Sequence, residues 1–287
     1  MKRRLADASL ELSYEGYTKV WGDEFDGDSL NRDDWNVETH EKGWVNSELQ
    51  EYVDSEENIQ VKDGKLVINP VKKVSSIESN YAASTKEAVS YTSGRISTQK
   101  KQTFIYGRFE CRAKVPKGQG YLPAFWLMAN DENVYGQWPR CGEIDCMEVM
   151  GQETNKAYGT IHYGNPHAES QGTYYTGENE SDFSDDFHVF TCDWEPGKIT
   201  WYVDGVKYHE ESDWYSTTVG QGTLTYPAPF DQPFYIILNL AVGGSWVGNP
   251  NDETSFENNP YEIDYVRVYQ KDSYNEDVKR PIKEITL

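Results

Sequence analysis

Short alternations of apolar and polar residues, separated by turn residues, recur along most of the chain. Residues 59–61 alternate apolar and polar side chains, Asp63-Gly64 follows, and residues 66–68 resume the alternation. Asp-Gly readily adopts the positive φ angles of a tight turn, so two alternating runs joined by it are typical of a β-hairpin. The pattern therefore predicts a hairpin over residues 58–68.

The same kind of pattern predicts a chain made of strands. Residues 190–195 and 199–203 flank Pro196-Gly197, which predicts a second hairpin, and Asp204-Gly205 predicts a third turn directly after it. Further strands are predicted at residues 94–99, 105–115, 122–129, 158–163, 234–242 and 262–269. No segment keeps the period of an amphipathic helix. Many strands with short turns indicate an all-β fold of two packed antiparallel sheets, a sandwich or jelly roll.

The domain organisation follows from the absence of a linker. No Pro/Ser-rich segment or internal repeat divides residues 15–270, so we predict a single domain there. Residues 1–14 and 271–287 are then terminal extensions. Residues 165–186 and 207–231 are long and polar, and we expect them to be loops that border a binding cleft.

Charge narrows the choice of partner. The 287 residues carry a formal net charge of −21. Nucleic acid and anionic membranes are therefore excluded as partners, because their phosphates would be repelled, whereas a neutral polymer fits. No stretch is apolar and long enough to span a bilayer. We expect a secreted or cell-surface monomer, although residues 1–17 lack the apolar core of a signal peptide.

The aromatic and cysteine residues say less about function than the charge does. Aromatic residues make up 14% of the chain, which suits carbohydrate binding, but β proteins are rich in them in any case. The four cysteines show neither the spacing of a metal site nor a dense disulfide framework. We predict four buried or half-buried free thiols, with a disulfide at Cys141 left open.

Three carboxylates stand close together in a segment that otherwise has the pattern of a strand. Glu143 and Asp145 are two residues apart, so they point to the same face. Glu148 would point to the opposite face unless one extra residue, a β-bulge at Cys146-Met147, returns it to their side. Three acids on one face repel one another, so one should hold its proton near neutral pH. A carboxylic acid beside a carboxylate is what glycosidic bond cleavage requires.

Two simpler interpretations compete with catalysis. A single acid on a strand usually belongs to a solvated face, and clustered carboxylates also bind calcium. Apolar neighbours imply that this strand has a buried face, and Trp126 and Trp138, just upstream, offer the aromatic rings that usually stack on sugars. The catalytic interpretation is therefore favoured.

Several motifs occur in a fixed order along residues 17–270. The most specific is Gly142-Glu143-Ile144-Asp145-Cys146-Met147-Glu148. The others are Trp21–Gly27, Trp44–Gln50, Ser93–Thr98, Pro123–Met128, Thr160–Tyr163, Phe230–Gly244 and Ile263–Tyr269. Together they resemble glycoside hydrolase family 16, and within it the laminarinase-like endo-β-1,3-glucanases. Cys146 departs from the apolar residue usual in that family, and we expect its side chain to face the core.

The resemblance implies a β-jelly-roll with its active site on the concave face. It also implies roles for the acids: Glu143 would be the nucleophile and Glu148 the general acid/base, while Asp145 would orient Glu143 and tune both pKa values. The reaction would be double displacement with retention, in which the two glutamates lie about 5–5.5 Å apart.

The resemblance further suggests residues that contact the sugar or a metal. The substrate residues would be Trp126, Trp138 and Trp246 as stacking surfaces, Asn46, Arg95 and Asn239 as hydrogen-bonding groups, and His162 near the acid/base. A structural calcium would bind on the convex side, and its ligands would be Glu24, the carbonyl of Gly64, and Asp264. Each of these residues also has a purely structural interpretation. No cofactor is implied for catalysis.

The function implied is an endo-β-1,3(1,4)-glucanase acting on a neutral β-glucan. A hydrolase of galactans such as agarose, built on the same scaffold, is one alternative, and a non-catalytic β-glucan-binding protein is another. The segments Ala241–Trp246 and Asn46–Gln50 favour a glucan. Both Glu143 and Glu148 are present, which argues against a pure binding protein.

Overall fold

The structure is a computed structural model that describes residues 13–78, 85–177, 180–218, 220 and 222–281. The described residues form strands and no helix, as the missing helical period predicts. The strands are β1 Tyr17–Asp23, β2 Asn36–Val37, β3 Gln50–Tyr52, β4 Ile59–Lys62, β5 Lys65–Ile68, β6 Val71–Glu78, β7 Thr85–Ser93, β8 Arg95–Ser97, β9 Gly107–Lys114, β10 Tyr121–Ala129, β11 Glu143–Glu148, β12 Lys156–Tyr163, β13 Ala168–Tyr175, β14 His188–Glu195, β15 Lys198–Val203, β16 Val206–Glu211, β17 Thr217–Thr218, β18 Gly222–Thr223, β19 Phe234–Val242 and β20 Tyr261–Lys271. Among the described residues, no helix has the length and hydrophobicity needed to cross a membrane.

Two large antiparallel sheets enclose the core. One has the order β16-β15-β14-β9-β20-β5-β4, with β1 also paired to β20, and the other has the order β13-β12-β11-β10-β19-β8-β2. Large side chains from both sheets, such as Phe109 and Trp194 from the first and Phe125 and Ile144 from the second, are fully buried between them. This is the predicted sandwich. The seven-stranded sheet carries the three carboxylates on strand β11, which lies between β12 and β10.

The predicted hairpins are confirmed, but some strands were not predicted. Strands β4 and β5 pair around Asp63-Gly64, and β14, β15 and β16 pair in succession. A separate three-stranded sheet of β3, β7 and β6 was missed, because its strands are largely polar. The prediction that residues 165–186 and 207–231 are loops is wrong in part. They contain edge strands β13 and β16, whose polar, partly exposed residues hide the strand pattern.

Close packing fixes strand β11 and its neighbours to the opposite sheet. Gly159 and Gly172 are directly opposite each other on β12 and β13. A Cβ atom on Gly159 would lie 2.4 Å from the ring of Trp201, and one on Gly172 would lie 2.3 Å from His209. The two glycines therefore let these rings approach, and the Trp201 Nε1 donates a 2.8 Å hydrogen bond to the backbone carbonyl of Asp145.

The cysteines and the chain ends complete the fold. All four cysteines are free and buried, as predicted, and Cys146 faces the core. Residues 1–12 and 282–287 of the predicted extensions lie outside the described residues. Of the described C-terminal residues, Tyr274 packs on Tyr106 with ring centroids 5.3 Å apart, and Arg280 pairs with Asp213 at 2.6 Å. The domain boundaries stay a prediction.

Candidate active site

The register of β11 contains the predicted bulge. On β10, Phe125 lies opposite Met147 and Trp126 lies opposite Asp145, so Cys146 is the extra residue. On β12, the same shift falls between the partners of Asp145 and Glu148. An extra residue reverses the alternation of faces. Glu143 and Glu148 are consequently both part-exposed, whereas the four residues between them are buried.

Cross-strand pairing places most of the predicted site residues on the face that carries the acids. Glu148 lies opposite Ala124 on β10, Ala124 lies opposite Asn239 on β19, and Asn239 lies opposite Arg95 on β8. Directly opposite residues of a sheet project to the same side. Glu148, Asn239 and Arg95 therefore form one row across the sheet.

A second row runs from Glu143 in the other direction. Glu143 lies opposite His162 on β12, and His162 lies opposite Glu169 on β13. The Nε2 of His162 is 3.3 Å from Asp145 Oδ2 and 3.8 Å from Glu143 Oε1. The sequence comparison placed His162 near the acid/base Glu148. In the structure its nearest carboxylates are those of Asp145 and of Glu169, whose Oε2 is 3.4 Å from Nδ1, followed by that of Glu143.

Burial and mutual repulsion raise the pKa of every acid in this cluster. Burial, followed by repulsion from Glu143, raises the pKa of Glu148 to about 7. Burial and the charge of Asp145 raise the pKa of Glu143, and burial and the charge of Glu148 raise the pKa of Asp145. Burial alone would lower the pKa of His162, but the hydrogen bond to Asp145 and the surrounding carboxylates raise it to about 9.

The cluster therefore holds a dissociable proton near neutral pH, as predicted. The pKa of Glu148 suits a general acid, which must be protonated when the bond breaks. A nucleophile must be ionised, so the raised pKa of Glu143 disagrees with that role in the free site. Neighbouring carboxyl groups titrate together, so their pKa values in the substrate-free site do not decide which glutamate is the nucleophile and which is the general acid. The arrangement supplies one proton donor, one carboxylate and a neighbouring cation.

Two exposed tryptophans lie on either side of the carboxylates. Trp138 and Trp246 are each 45% exposed. The ring of Trp138 is 6.0 Å from that of His162, the residue opposite Glu143. The ring of Trp246 is 5.3 Å from that of Tyr158, the residue opposite Glu148. The three acids thus have an exposed aromatic ring on each side, and each ring can stack on a sugar ring.

The other side chains predicted to contact the sugar form hydrogen bonds and ring contacts with one another and with neighbouring residues. The Trp126 Nε1 donates a 2.7 Å hydrogen bond to Asn239, which donates in turn to the Tyr52 hydroxyl at 3.0 Å. The Arg95 guanidinium is 4.9 Å from the ring centroid of Trp126, and its Nε donates to Glu38 at 2.6 Å. Asn239 and Arg95 are buried, so protein neighbours take much of their hydrogen-bonding capacity. These residues shape the cleft wall as well as offering polar edges.

A family model described as "Glycosyl hydrolases family 16" matches residues 46–267. The chain belongs to glycosyl hydrolases family 16. It is 39% identical over 269 residues to glucan endo-1,3-beta-glucosidase A1 of Niallia circulans, spanning 89% of this chain and 38% of that protein. It is 39% identical over 272 residues to the glucan endo-1,3-beta-glucosidase of Cryptopygus antarcticus, spanning 91% of this chain and 95% of that protein.

Solved structures support the same assignment. The endo-beta-1,3-glucanase from Pyrococcus furiosus is 38% identical, with a TM-score of 0.73 over 90% of this chain and 96% of that chain. The predicted family and the β-jelly-roll fold are confirmed. The bulged strand β11, Trp138 and Trp246 lie inside the residues that the family model matches.

Several residues of this family 16 cleft were missed from sequence. Trp44 is 48% exposed, and its ring lies 5.1 Å from the Arg95 guanidinium. Glu48 is buried and hydrogen-bonded to Gln50 at 2.7 Å, and its charge contributes to the raised pKa of Glu148. The available signal was the motif Trp44–Gln50 itself, from which only Asn46 was selected.

Asn46 lies on the rim of the cleft. It is exposed, with a positive φ of 51°, and its side-chain amide is 3.4 Å from Glu48. Its carbonyl accepts a 2.8 Å hydrogen bond from the Ser245 amide. Asn46 therefore joins its loop to the loop that carries Trp246.

The residues predicted to bind calcium are engaged elsewhere. Both carboxylate oxygens of Glu24 accept hydrogen bonds from Arg267, at 2.8 and 2.7 Å, and Asp264 accepts one from Arg112 at 2.7 Å. Gly64 lies in the β4–β5 turn. Calcium requires oxygen ligands free of competing cations, so the set as arranged does not fit the ion. Calcium binding stays a prediction, and no step below uses a metal.

Proposed function

We propose that this chain is an endo-acting, retaining glycoside hydrolase that cleaves β-1,3-linked glucans, including mixed 1,3/1,4-linked glucans. The observation that carries the proposal is the bulge in β11. It brings Glu143, Asp145 and Glu148 to one face, in a row that ends at exposed Trp138 on one side and exposed Trp246 on the other. The names of the Niallia, Cryptopygus and Pyrococcus relatives support β-1,3-glucan as the substrate.

The proposed mechanism is a double displacement. Glu143 attacks the anomeric carbon while Glu148 gives its proton to the departing glycosidic oxygen, so a covalent glycosyl–enzyme forms as the chain is cut. Glu148, now ionised, takes a proton from water, and this water breaks the ester to Glu143 with net retention. The pKa of Glu148 near 7 supports its alternation between acid and base.

Asp145 and His162 act on the nucleophile. Asp145 is 2% exposed and is fixed through its backbone by Trp201. Its charge opposes ionisation of Glu143, whereas the His162 cation favours it. Positive charge develops on the sugar ring in the oxocarbenium-like transition state, and it favours the ionised form of Glu143. The same positive charge offsets the repulsion among the three acids, so it lowers the barrier to reaction.

The surroundings of the site support an extended, neutral substrate. Glu143 and Glu148 are part-exposed and lie between exposed Trp138 and Trp246, which suits a polymer that is cut within its length. The net charge of −21 disfavours anionic polymers. Since a polysaccharide is too large to enter a cell, we infer that the enzyme acts while secreted or bound at the cell surface. We expect it to act as a monomer.

The first test is release of reducing sugar from laminarin, barley mixed-linkage glucan, lichenan and agarose in parallel, with Glu143→Gln as control. We expect release from the glucans by the native chain and none by the variant. Release from agarose alone would replace the proposal with the galactan alternative. Binding of laminarin without release from any polymer would replace it with the binding-protein alternative.

Retention is tested separately. Proton NMR of the first product formed from a short β-1,3-glucan should show the β-anomer before mutarotation. Appearance of the α-anomer first would contradict the assignment of Glu143 as a nucleophile.

A further inference from the structure

A second cluster of potential ligands adjoins the catalytic acids. His162 Nδ1 and His167 Nε2 are 3.0 Å apart, and Glu169 Oε2 is 3.4 Å from the same Nδ1. One donor atom from each of the three residues lies within 4.8 Å of the other two. The proposed hydrolysis uses the charge of His162 but gives no role to His167 or Glu169.

Two of the three separations within this cluster are close to those between the ligands of a tetrahedral metal ion. Zn²⁺ binds imidazole nitrogen at about 2.0–2.1 Å and carboxylate oxygen at about 2.0–2.2 Å, so two tetrahedral ligands lie about 3.3–3.4 Å apart. The two measured separations, 3.0 and 3.4 Å, lie close to this value. We propose that His162, His167 and Glu169 form a binding site for one divalent transition-metal ion such as Zn²⁺, with a fourth position open to solvent.

The far side of His162 supports this assignment independently. Its Nε2 faces Asp145 Oδ2 at 3.3 Å, and Asp145 is almost fully buried. Histidines that bind metals typically donate their second N–H to a carboxylate, which fixes the tautomer and orients the ring. Asp145 Oδ2 is a buried atom without a hydrogen-bond partner among the described residues, so it favours a proton on the facing Nε2. The Nδ1 lone pair is then available to a metal ion shared with His167 and Glu169 once any proton on Nδ1 has left.

The position of His167 is set by packing. His167 ends the turn of residues 164–167, which connects β12 to β13. The Tyr215 hydroxyl donates a 3.0 Å hydrogen bond to the carbonyl of Pro166, and a Cβ on Gly164 would lie 2.6 Å from the Tyr215 ring. The turn is thus held against Tyr215, which keeps the His167 ring beside β12.

The metal ion must compete with a proton. The carboxylates around His162 favour its doubly protonated form, so an ion binding at Nδ1 displaces one proton to solvent. Without an ion, one proton lies between His162 and His167 as a hydrogen bond. The hard cations Ca²⁺ and Mg²⁺ prefer oxygen ligands, so this nitrogen-rich site discriminates against them.

Occupancy has a consequence that rests on the proposed function. The ring of Trp138 is 5.1 Å from that of His167 and 6.0 Å from that of His162. An ion between the histidines, with its solvent ligand, would lie where a sugar stacked on Trp138 approaches Glu143. We therefore infer that the bound ion inhibits hydrolysis.

The binding test is calorimetric titration of the EDTA-treated, dialysed full chain with ZnCl₂, with Co²⁺ absorption as a second readout. His167→Ala and Glu169→Gln remove one ligand each, and Glu210→Gln removes an exposed acid on β16 as matched control. We expect one ion per chain for native protein and control, and at least about tenfold weaker binding for both ligand variants. Equal binding by all four proteins, or none to the native chain at millimolar Zn²⁺, would overturn the site.

The fold and the activity are checked separately. Thermal unfolding of each metal-free variant shows whether it folds, and the tetrahedral Co²⁺ spectrum should be lost in His167→Ala even if that variant is less stable. Zn²⁺ should inhibit laminarin hydrolysis reversibly with EDTA, and less so in His167→Ala. Stoichiometric binding without inhibition would overturn only the inference about the cleft. A chain inactive on all glucans without Zn²⁺ would overturn the proposed function, while the titration would still decide the metal site.

Discussion

Two groups of charged side chains, one on each sheet, differ in how their charges are balanced. On the seven-stranded sheet, Glu143, Asp145 and Glu148 share one histidine. On the side of the eight-stranded sheet that faces away from the core, acids are paired with arginines. The pairs are Arg108 with Glu110 and with Asp193, Arg112 with Asp264, and Arg267 with Glu24.

Burying an ionised acid costs free energy, and the two groups differ in whether a neighbouring arginine offsets that cost. Burial disfavours ionised Glu24, yet Arg267 holds its pKa below its usual range. Burial and neighbouring acids raise the pKa of Glu148 to about 7, because no arginine compensates them. Uncompensated acids cost stability but supply a proton at neutral pH. Burial still raises the pKa of Glu110 and of Asp193, although the charge of Arg108 opposes that rise at both, so among these three acids the arginine outweighs burial only at Glu24. The comparison shows that arginines limit the cost of burying acids, whereas the acids of the seven-stranded sheet have only one histidine to do so.

The largest expected effect comes from removing the nucleophile. Glu143→Gln should lower the rate of laminarin hydrolysis by roughly 10⁴-fold or more, because no other group can form the covalent intermediate. Initial rates of reducing-sugar release measure it, with circular dichroism and polymer binding as evidence of an intact fold. A rate within tenfold of the native chain would place the chemistry elsewhere.

Breaking the arginine network should cost stability and spare chemistry. Arg108→Met leaves buried Glu110 and half-buried Asp193 without their cation, so we expect the free energy of unfolding to fall by about 3–5 kcal/mol. Denaturant titration measures the fall, and kcat/KM below the transition should be unchanged. Arg280→Met, which breaks the more exposed pair with Asp213, is the control and should cost less than about 1 kcal/mol. Equal losses would show that burial of the pair does not matter.

The pH dependence of stability should reveal the uncompensated acids. The pKa of Glu148 is about 7 in the folded chain against an ordinary value of 4.5, so the folded state binds its proton more tightly. Unfolding then releases protons, and this contribution to stability falls as pH rises from 4.5 to about 7. Glu143→Gln removes the repulsion between Glu143 and Glu148. Its free energy of unfolding should therefore rise by about 1–3 kcal/mol relative to that of the native chain over this pH range.

Denaturant titrations of both proteins at pH 5 and pH 7.5 measure this gain. The pKa of His162 is raised to about 9, so its contribution to stability is full below its ordinary value of 6.5 and is lost as pH rises from 6.5 to about 9. A third titration at pH 6.5, where most of that contribution is still present, separates it from the contribution of Glu148. A constant difference between the two proteins at both pH values would contradict the proposed repulsion.

The smallest effect is expected from chelation. Because arginines already pair with Glu24 and Asp264, removal of Ca²⁺ with EGTA from protein already freed of transition metals should shift the Tm by less than about 1 °C. Differential scanning calorimetry measures the shift. A fall of several degrees that added Ca²⁺ restores would instead support the calcium site that the sequence resemblance implies.

The amino-acid sequence determined the features that depend on near neighbours. Alternation of side chains has a period of two, so the spacing of Glu143, Asp145 and Glu148 was enough to predict the bulge. Turn residues such as Asp63-Gly64 were enough to predict the hairpins. The motifs then identified the family.

Tertiary structure decided which groups meet. Polar edge strand β13 has no alternation to reveal it, and it brings Glu169 to His162 only through pairing with β12. The link from His162 to Asp145 and the pairing of Glu24 with Arg267 also join segments far apart in the chain. Such contacts are fixed by register and packing over the whole sandwich. A local pattern shows which face a side chain takes, but not the partner that reaches it.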